Sequence, residues 1–119
     1  MVEGSQIDWG GHANDQEYII SELIDFDQAV GVALDFAQTH QDTLVIATSD
    51  HETGGFAIHQ GSMKQKHISD SQFTHDNHTA TMVPVFAYGI RASDFSGIAD
   101  NTIIGKNIIH FIKSHRIME

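Results

Sequence analysis

Acidic and histidine side chains that could bind metal ions form three clusters along the chain. Asp8 and His12 are four residues apart, Asp50 and His51 are adjacent, and His78 follows later. On a helix, residues four apart share a face, so Asp8 and His12 could bind one metal ion together. Surface helices, however, often carry such pairs without a bound ion. Carboxylates with imidazoles suit zinc, and a carboxylate site rich in water suits magnesium. These residue types therefore predict a metal site made of oxygen and nitrogen ligands.

One chemistry that a two-metal site of this kind could support is phosphoryl displacement, although these residues alone do not name the substrate. Two ions about 3.5–4 Å apart can stabilise both the attacking and the leaving oxygen of an in-line displacement. Each cluster also has an ordinary explanation: Asp50 could cap a turn, His78 could be a loop histidine, and Glu3 could be an acid at the end of a strand. The position of the clusters in the fold has to decide between these explanations.

Two stretches have the spacing of amphipathic helices. Between residues 14 and 38, apolar side chains recur every three to four residues, which predicts one apolar helical stripe. Asp27 could cap a second segment, so a break near Phe26 would divide this helix into two. Residues 103–112 repeat the pattern and predict a closing helix. We therefore expect helices that cover a sheet.

Strand-like runs alternate with these helices. Residues 43–48 are apolar and β-branched, as expected of a strand that is buried on both faces. Residues 83–89 predict another strand, in which Pro84 is tolerable at a first or edge position. Residues 56–59 could form a short strand, while the polar residues 60–77 are predicted to be a long loop.

The order of these elements predicts an α/β fold. Met1 and Val2 resemble the end of a strand, so the order is strand, helix, strand, polar excursion, strand and helix. This order is typical of a mainly parallel sheet flanked by helices, of which the chain would hold only a part. In open sheets of that class, ligands bind at the carboxyl ends of the strands. The three clusters lie near predicted strand ends or edges, which favours a common site.

Composition limits the class of protein. With 119 residues, of which 40% are hydrophobic and 18% charged, the chain is long enough for one folded domain with a core. A formal net charge of -10 argues against a nucleic-acid partner held by general electrostatics. No apolar run approaches the roughly 20 residues that span a bilayer, so we do not expect an integral membrane protein. The absence of cysteine excludes disulfides and thiolate metal sites.

Three motifs, in this order along the chain, resemble those of the alkaline phosphatase family. Residues 1–15 (MVEGSQIDWGGHAND) are similar to the segment that carries the family's magnesium and first zinc ligands. Residues 50–55 (DHETGG), after an apolar strand, resemble its second-zinc motif. His78, with a threonine after it and VPVFAYG shortly beyond, resembles its last zinc-ligand motif. We interpret residues 1–119 as one C-terminal metal-ligand segment of an alkaline phosphatase-like domain.

The resemblance assigns each cluster to an ion. Carried over residue by residue, it gives Asp8, His12 and His78 to the first zinc, Asp50 and His51 to the second zinc, and Glu3 to the magnesium. Trp9 is similar to the tryptophan found in many bacterial members and would lie near the substrate phosphate. The ordinary alternative for Trp9 is a packed core tryptophan.

The same resemblance implies a fold, a reaction and a location. The chain would be a fragment of the larger alkaline phosphatase-like sandwich, and the substrates would be phosphate monoesters. In the family's mechanism a serine attacks phosphorus and the phosphoserine is then hydrolysed, with two zinc ions and one magnesium ion as cofactors. Family membership also implies a periplasmic or secreted location, although the first residues do not have the pattern of a signal peptide. A truncated sheet would leave an unpaired strand edge, through which the chain could form a homodimer.

The chain departs from the family where the nucleophile is expected. Members carry the serine in an Asp-Ser-Ala motif, whose aspartate also bridges the second zinc and the magnesium. Here residues 70–72 are Asp-Ser-Gln and residues 94–96 are Asp-Phe-Ser, so neither matches. Neither Arg91 nor Arg116 matches the arginine that clamps phosphate. We therefore expect only the first zinc set to be complete and the isolated chain to be inactive.

Two other interpretations stay open. A non-catalytic metal-binding or interaction module could keep the same ligands without a nucleophile, so an Asp-Ser-Ala segment upstream in the same reading frame would favour the enzyme. A related phosphate-transferring enzyme, such as a mutase, is the third interpretation. Trp9 and the His-Thr pair before Val83 argue against the mutase.

Overall fold

The computed structural model of the chain describes residues 1–115, in which helices and short strands alternate. Arg116, which does not match the arginine that clamps phosphate in the family, lies outside the described residues. The regular elements are α1 (Ser5–His12), α2 (Gln16–Thr39), β1 (Leu44–Thr48), β2 (Glu52–Thr53), β3 (Ala57–Ser62), β4 (His67–Gln72), β5 (His78–Thr79), β6 (Val85–Gly89), a 3-10 turn (Ala92–Phe95) and α3 (Thr102–His115).

These elements form two compact units. The first comprises Met1–Val32 and His51–Val83, and the second comprises Ala33–Asp50 and the described residues from Pro84 onward. Five of the six predicted metal ligands therefore belong to the first unit. They are Glu3, Asp8, His12, His51 and His78, while Asp50 belongs to the second unit.

The turn between α1 and α2 is capped by a side chain. The Asp15 carboxylate accepts a hydrogen bond from the backbone N–H of Tyr18 (3.0 Å) and so closes the first turn of α2. Asn14 precedes it with a φ of 51°, a left-handed conformation that asparagine tolerates well. α2 then continues through Phe26 to Thr39, so the single-helix prediction is confirmed and the possible break is not formed.

All strand pairs among the described residues are antiparallel and two-stranded. β1 pairs with β6, β2 with β5, and β3 with β4. The predicted α/β class is confirmed, but the prediction of a mainly parallel sheet is wrong for this part of the chain. Parallel neighbours need a crossover connection, usually a helix, whereas only short strands and turns lie between β1 and β6. Met1 and Val2, expected to end a strand, have no regular secondary structure.

β3 and β4 form a hairpin in the segment that the sequence predicts to be a long loop. Their residues are mostly exposed, so neither strand has the alternation of apolar and polar residues that marks a half-buried strand. The register also shifts on either side of Gln60, where the pairing is irregular. The loop prediction for residues 60–77 is therefore wrong, because an exposed hairpin has no hydrophobic signature.

The second unit is built on the β1–β6 ladder. β6 begins at Val85, so Pro84 precedes the strand that was predicted for residues 83–89. The Thr48 hydroxyl donates a hydrogen bond to the Pro84 carbonyl (3.0 Å). β1 is half-buried, whereas the sequence predicts a strand that is buried on both faces. α3 begins where the Asp100 carboxylate accepts a hydrogen bond from the backbone N–H of Thr102 (2.9 Å).

Few apolar side chains are buried within the described residues. Ile19 and Ala37 are buried, with exposed fractions of 8% and 5%. Four larger apolar side chains of α2 are more than half exposed, namely Leu23, Ile24, Val32 and Phe36. None of the described helices is long and apolar enough to cross a membrane. Because buried apolar area is the main source of folding free energy, this hydrophobic core contributes little stability.

Candidate metal centre

Asp8, His12 and His78 converge on one point of the first unit. The Nε2 atoms of His12 and His78 lie 3.2 Å apart. One carboxylate oxygen of Asp8, Oδ2, lies 3.5 Å from His12 Nε2, and the other, Oδ1, lies 3.6 Å from His78 Nε2. One ligand atom from each residue lies within 4.8 Å of the other two. The structure therefore brings together three predicted ligands that the sequence separates by up to 70 positions (78 minus 8).

Two different elements present these side chains. Asp8 and His12 project from successive turns of α1, as their four-residue spacing predicts. His78 is the first residue of β5 rather than a loop residue, and it stands opposite Thr53 in the antiparallel pair with β2. The common Asp-x-x-x-His pair becomes a three-ligand group because this distant strand adds a second histidine.

The spacing of the three side chains fits a zinc ion. Zinc binds nitrogen and oxygen ligands at about 2.0–2.2 Å in tetrahedral geometry, which places the ligand atoms about 3.3–3.6 Å from one another. The Nε2 atoms of His12 and His78 lie 3.2 Å apart, just below that range, and each lies 3.5–3.6 Å from a different carboxylate oxygen of Asp8, so the group is close to the spacing that zinc requires. Three protein ligands are the number found in catalytic rather than structural zinc sites. The side chain of Asp8 is 34% exposed and that of His78 is 50% exposed, so this group of side chains is accessible from solvent.

The orientation of His12 is fixed by a backbone carbonyl. Its Nδ1 lies 2.6 Å from the carbonyl oxygen of Asp76. A carbonyl oxygen can only accept a hydrogen bond, so Nδ1 must carry a hydrogen, and in the neutral ring Nε2 then carries the lone pair. Such a second partner is the usual way in which a metal-binding histidine is held in the correct tautomer. The sequence gives no sign of it, because any residue at position 76 would offer the same carbonyl.

His51 lies against the first set of ligands. Its ring stacks on that of His78, with centroids 3.6 Å apart and an angle of 18° between the planes. Its Nδ1 lies 3.2 Å from the hydroxyl oxygen of Thr53, two residues further on. Asp50, the other predicted ligand of the second zinc, is exposed and belongs to the second unit. Its assignment therefore rests on the motif resemblance.

Glu52 ties together the segments that carry His51 and His78. Its carboxylate accepts hydrogen bonds from the backbone N–H groups of Gly55 and Phe56, both at 3.2 Å. It also accepts a hydrogen bond from the hydroxyl of Thr79, the residue after His78. Glu52 lies within the second-zinc motif, although the sequence alone indicates no role for it. Its contacts make it a structural anchor of the β2–β5 pair.

Glu3 and Trp9 are placed outside the convergent group. Glu3 is exposed and lines an open cleft of about 240 Å³ that also includes Glu22 and Asp25. Trp9 follows Asp8 on α1 and is 57% exposed, so it is not packed in the interior of this chain. The assignments of Glu3 to magnesium and of Trp9 to the substrate phosphate therefore stay predictions.

Gly11 allows α1 to approach β2 closely, and this contact yields a stability prediction. A Cβ atom at Gly11 would lie 2.9 Å from both the Cβ and the carbonyl oxygen of Thr53. We expect Gly11→Ala to lower the free energy of unfolding by about 1–3 kcal/mol, since inserted atoms force packed groups apart. Zinc affinity should fall as well, because Thr53 contacts Asp8 (2.5 Å) and would have to move away. Chemical denaturation and zinc titration would measure the two effects.

Gly31 provides the matched control for this prediction. It lies inside α2, and no described atom lies within 4 Å of an added Cβ. Gly31→Ala should raise the free energy of unfolding by about 0.5–1 kcal/mol, since alanine loses less entropy in a helix. Equal effects of the two substitutions would contradict the close-contact argument for Gly11.

Comparison with known proteins agrees with the three motifs. Residues 1–67 match the family described as alkaline phosphatase. Alkaline phosphatase 3 of Bacillus subtilis (strain 168) is 30% identical over 91% of this chain and 38% of its own length. The structure of alkaline phosphatase from the Antarctic bacterium TAB5 is 49% identical, with a TM-score of 0.83 over 93% of this chain and 34% of that one. A variant of it with bound magnesium has 47% identity and a TM-score of 0.83.

The chain resembles these proteins in both amino-acid sequence and backbone structure. The chain spans between 34% and 38% of the length of the relatives named above, so it corresponds to about a third of each. The matched residues 1–67 contain two of the three motifs, and the structural match extends the similarity over nearly the whole chain. The chain therefore belongs to the alkaline phosphatase family.

Proposed function

We propose that this chain is the part of a phosphate monoester hydrolase that carries most of its metal ligands. The proposed sites are a first zinc at Asp8, His12 and His78, a second zinc at Asp50 and His51, magnesium at Glu3, and the substrate phosphate beside Trp9. The observation that carries the proposal is the convergence of the first three side chains at distances that suit zinc. The magnesium-bound relative supports the magnesium assignment at the level of the family.

The side chains of the first unit have distinct tasks in this proposal. When bound, a pair of divalent ions supplies positive charge to the attacking and leaving oxygens of a phosphoryl displacement. Asp8 offers carboxylate oxygens, one of which also accepts the Thr53 hydroxyl hydrogen. His12 presents Nε2 because its Nδ1 donates to the Asp76 carbonyl. The partial exposure of this group leaves room for a phosphate ester to approach.

The attacking group has no counterpart in the chain. No Asp-Ser-Ala tripeptide occurs in the 119 residues. A serine hydroxyl and a phosphate-binding arginine would have to come from another part of the domain. We therefore propose that the isolated chain binds zinc but does not turn over a phosphate monoester.

The experiment compares the isolated chain with a hybrid polypeptide. The hybrid joins the chain to the remaining part of alkaline phosphatase from the Antarctic bacterium TAB5, and both are assayed with zinc, magnesium and a chromogenic phosphate monoester. We expect no turnover by the isolated chain and metal-dependent turnover by the hybrid. Asp8→Ala should lower kcat/KM of the hybrid by at least about 100-fold, since loss of a ligand should exceed the 10–100-fold cost of losing a ligand's partner.

Two outcomes would overturn parts of this proposal. Metal-dependent turnover by the isolated chain that disappears in Asp8→Ala would show that no outside nucleophile is needed. A hybrid that is folded by circular dichroism and loaded with zinc, yet inactive, would favour the non-catalytic metal-binding module. That alternative is supported by the three-ligand group, which is complete without any nucleophile in the chain.

We infer from the family alone that the parent enzyme is periplasmic or secreted. The acidic balance of the chain supports a small phosphate ester rather than a nucleic acid as the partner. We also propose that the isolated chain can pair with itself as a homodimer, since a truncated sheet leaves an unpaired strand edge. Sedimentation of the isolated chain would test the dimer, with a single monomeric species as the contrary result.

A further inference from the structure

Thr53 contacts ligands of both proposed zinc sites, although the motif resemblance gives it no role. It lies on β2, directly opposite His78 in the antiparallel pair. Its hydroxyl oxygen lies 2.5 Å from Asp8 Oδ1 and 3.2 Å from His51 Nδ1. One side chain therefore touches a ligand of the first set and a ligand of the second set.

The direction of these two hydrogen bonds follows from the number of hydrogens available. The Thr53 hydroxyl has one hydrogen, and the Asp8 carboxylate can only accept, so that hydrogen goes to Asp8. The Thr53 oxygen then accepts the second bond, which makes Nδ1 of His51 the donor. With its hydrogen on Nδ1, the neutral His51 ring carries its lone pair on Nε2. The hydrogen bonds therefore fix the tautomer in which Nε2 can bind a metal.

Thr53 is held in this position by its surroundings. A β-branched side chain has few accessible χ1 rotamers, so the hydroxyl cannot swing away easily. The Gly11 backbone approaches so closely that even a Cβ there would lie 2.9 Å from Thr53 Cβ. The ladder with β5 holds the Thr53 backbone from the other side. The hydroxyl is therefore preorganised between Asp8 and His51.

We propose that Thr53 is a positioning residue that orients Asp8 and His51 together and so couples the two zinc sites. The inference rests on the proposed function, since that function assigns metals to these side chains. His12 is oriented by the Asp76 carbonyl, which no substitution removes, whereas His51 is oriented by a hydroxyl that can be deleted. Removing such a partner of a metal ligand typically costs about 10–100-fold in metal affinity.

Thr53→Val tests this proposal, because valine lacks the hydroxyl but has nearly the same shape as threonine. Thr53→Val should lower the zinc affinity of the chain by about 10–100-fold, and Thr53→Ser should return it close to the original value. The ring ¹⁵N shifts of His51, recorded without metal in alkaline solution, report the tautomer directly. The original chain and Thr53→Ser should show the hydrogen on Nδ1, and Thr53→Val should lose that preference.

Thr81→Val is the matched control, because Thr81 is exposed and belongs to the same unit without lying on β2 or β5. It should leave the zinc affinity and the His51 tautomer unchanged. The inference is overturned if Thr53→Val and Thr81→Val give the same zinc affinity and the same shifts. It is also overturned if His51 of the original chain carries its hydrogen on Nε2, a measurement that needs no variant to fold. Unchanged zinc binding in Asp8→Ala would instead overturn the proposed function.

Discussion

Replacing His78 by alanine should lower the zinc affinity of the chain by at least about 100-fold. This loss should exceed the cost of removing a residue that only hydrogen-bonds to a metal ligand, which is about 10–100-fold. His78 is the one member of the three-ligand group that comes from a second element, β5. Without it, Asp8 and His12 form an ordinary pair on one helix, 3.5 Å apart and both partly exposed. Such pairs are frequent on helices that bind no metal. A competition titration against a chromogenic zinc chelator would measure the change.

His59→Ala is the control for this substitution. His59 lies on β3, is exposed, and belongs to the same unit as His78 without being part of the convergent group. We expect the zinc affinity of His59→Ala to equal that of the unsubstituted chain. Similar affinities of His78→Ala and His59→Ala would show that zinc binds elsewhere, and the proposed first site would then be wrong.

The location of the site was predictable from sequence only in part. The spacing of Asp8 and His12 predicts a shared helix face, and α1 confirms it. The approach of His78 depends on the β2–β5 pair, which has two residues in each strand. Two residues are too few to show any hydrophobic periodicity, so the sequence pattern alone predicts that His78 lies in a loop. The motif resemblance, rather than periodicity, was what linked His78 to Asp8.

The partners of the ligands could not be predicted for a different reason. The carbonyl that orients His12 belongs to the backbone at Asp76, and a backbone group leaves no trace in residue identity. Thr53 lies two positions after His51 and within the second-zinc motif, but its contact with Asp8 depends on the β2–β5 pair. Predicting that contact required knowing that residues 52–53 form a strand. Local geometry therefore decides which members of a motif act on the ligands.

The directions of the paired strands could not be predicted from the apolar pattern of the sequence. Residues 43–48 are apolar and β-branched, a pattern that fits a parallel strand covered on both faces but also an antiparallel strand with one neighbour. The polar segment after β1 forms an exposed hairpin instead of a helical crossover, and this allows β6 to return antiparallel to β1. The direction of pairing was decided by the connection, which has no apolar pattern to reveal it.

The same ligands that would bind zinc also link elements that the core holds weakly. Among the described residues, Ile19 and Ala37 are the buried apolar side chains. Asp8 and His12 lie on α1 and His78 lies on β5, so an ion at their centre would connect two segments that are far apart in sequence. Metal binding to a site that exists only in the folded state adds directly to folding free energy. Zinc should therefore contribute a large share of the stability of the isolated chain.

Zinc at about 100 times its dissociation constant should stabilise the isolated chain by about 2.7 kcal/mol. For a domain of this size that corresponds to a rise in Tm on the order of 10 °C. Thermal unfolding followed by circular dichroism, with zinc and with a chelator, would measure the shift. Asp8→Ala should abolish it, because the carboxylate provides the oxygen ligand of the group, whereas Gly31→Ala should keep it. An unchanged Tm in the original chain, or the same shift in Asp8→Ala, would show that zinc does not cross-link α1 to β5.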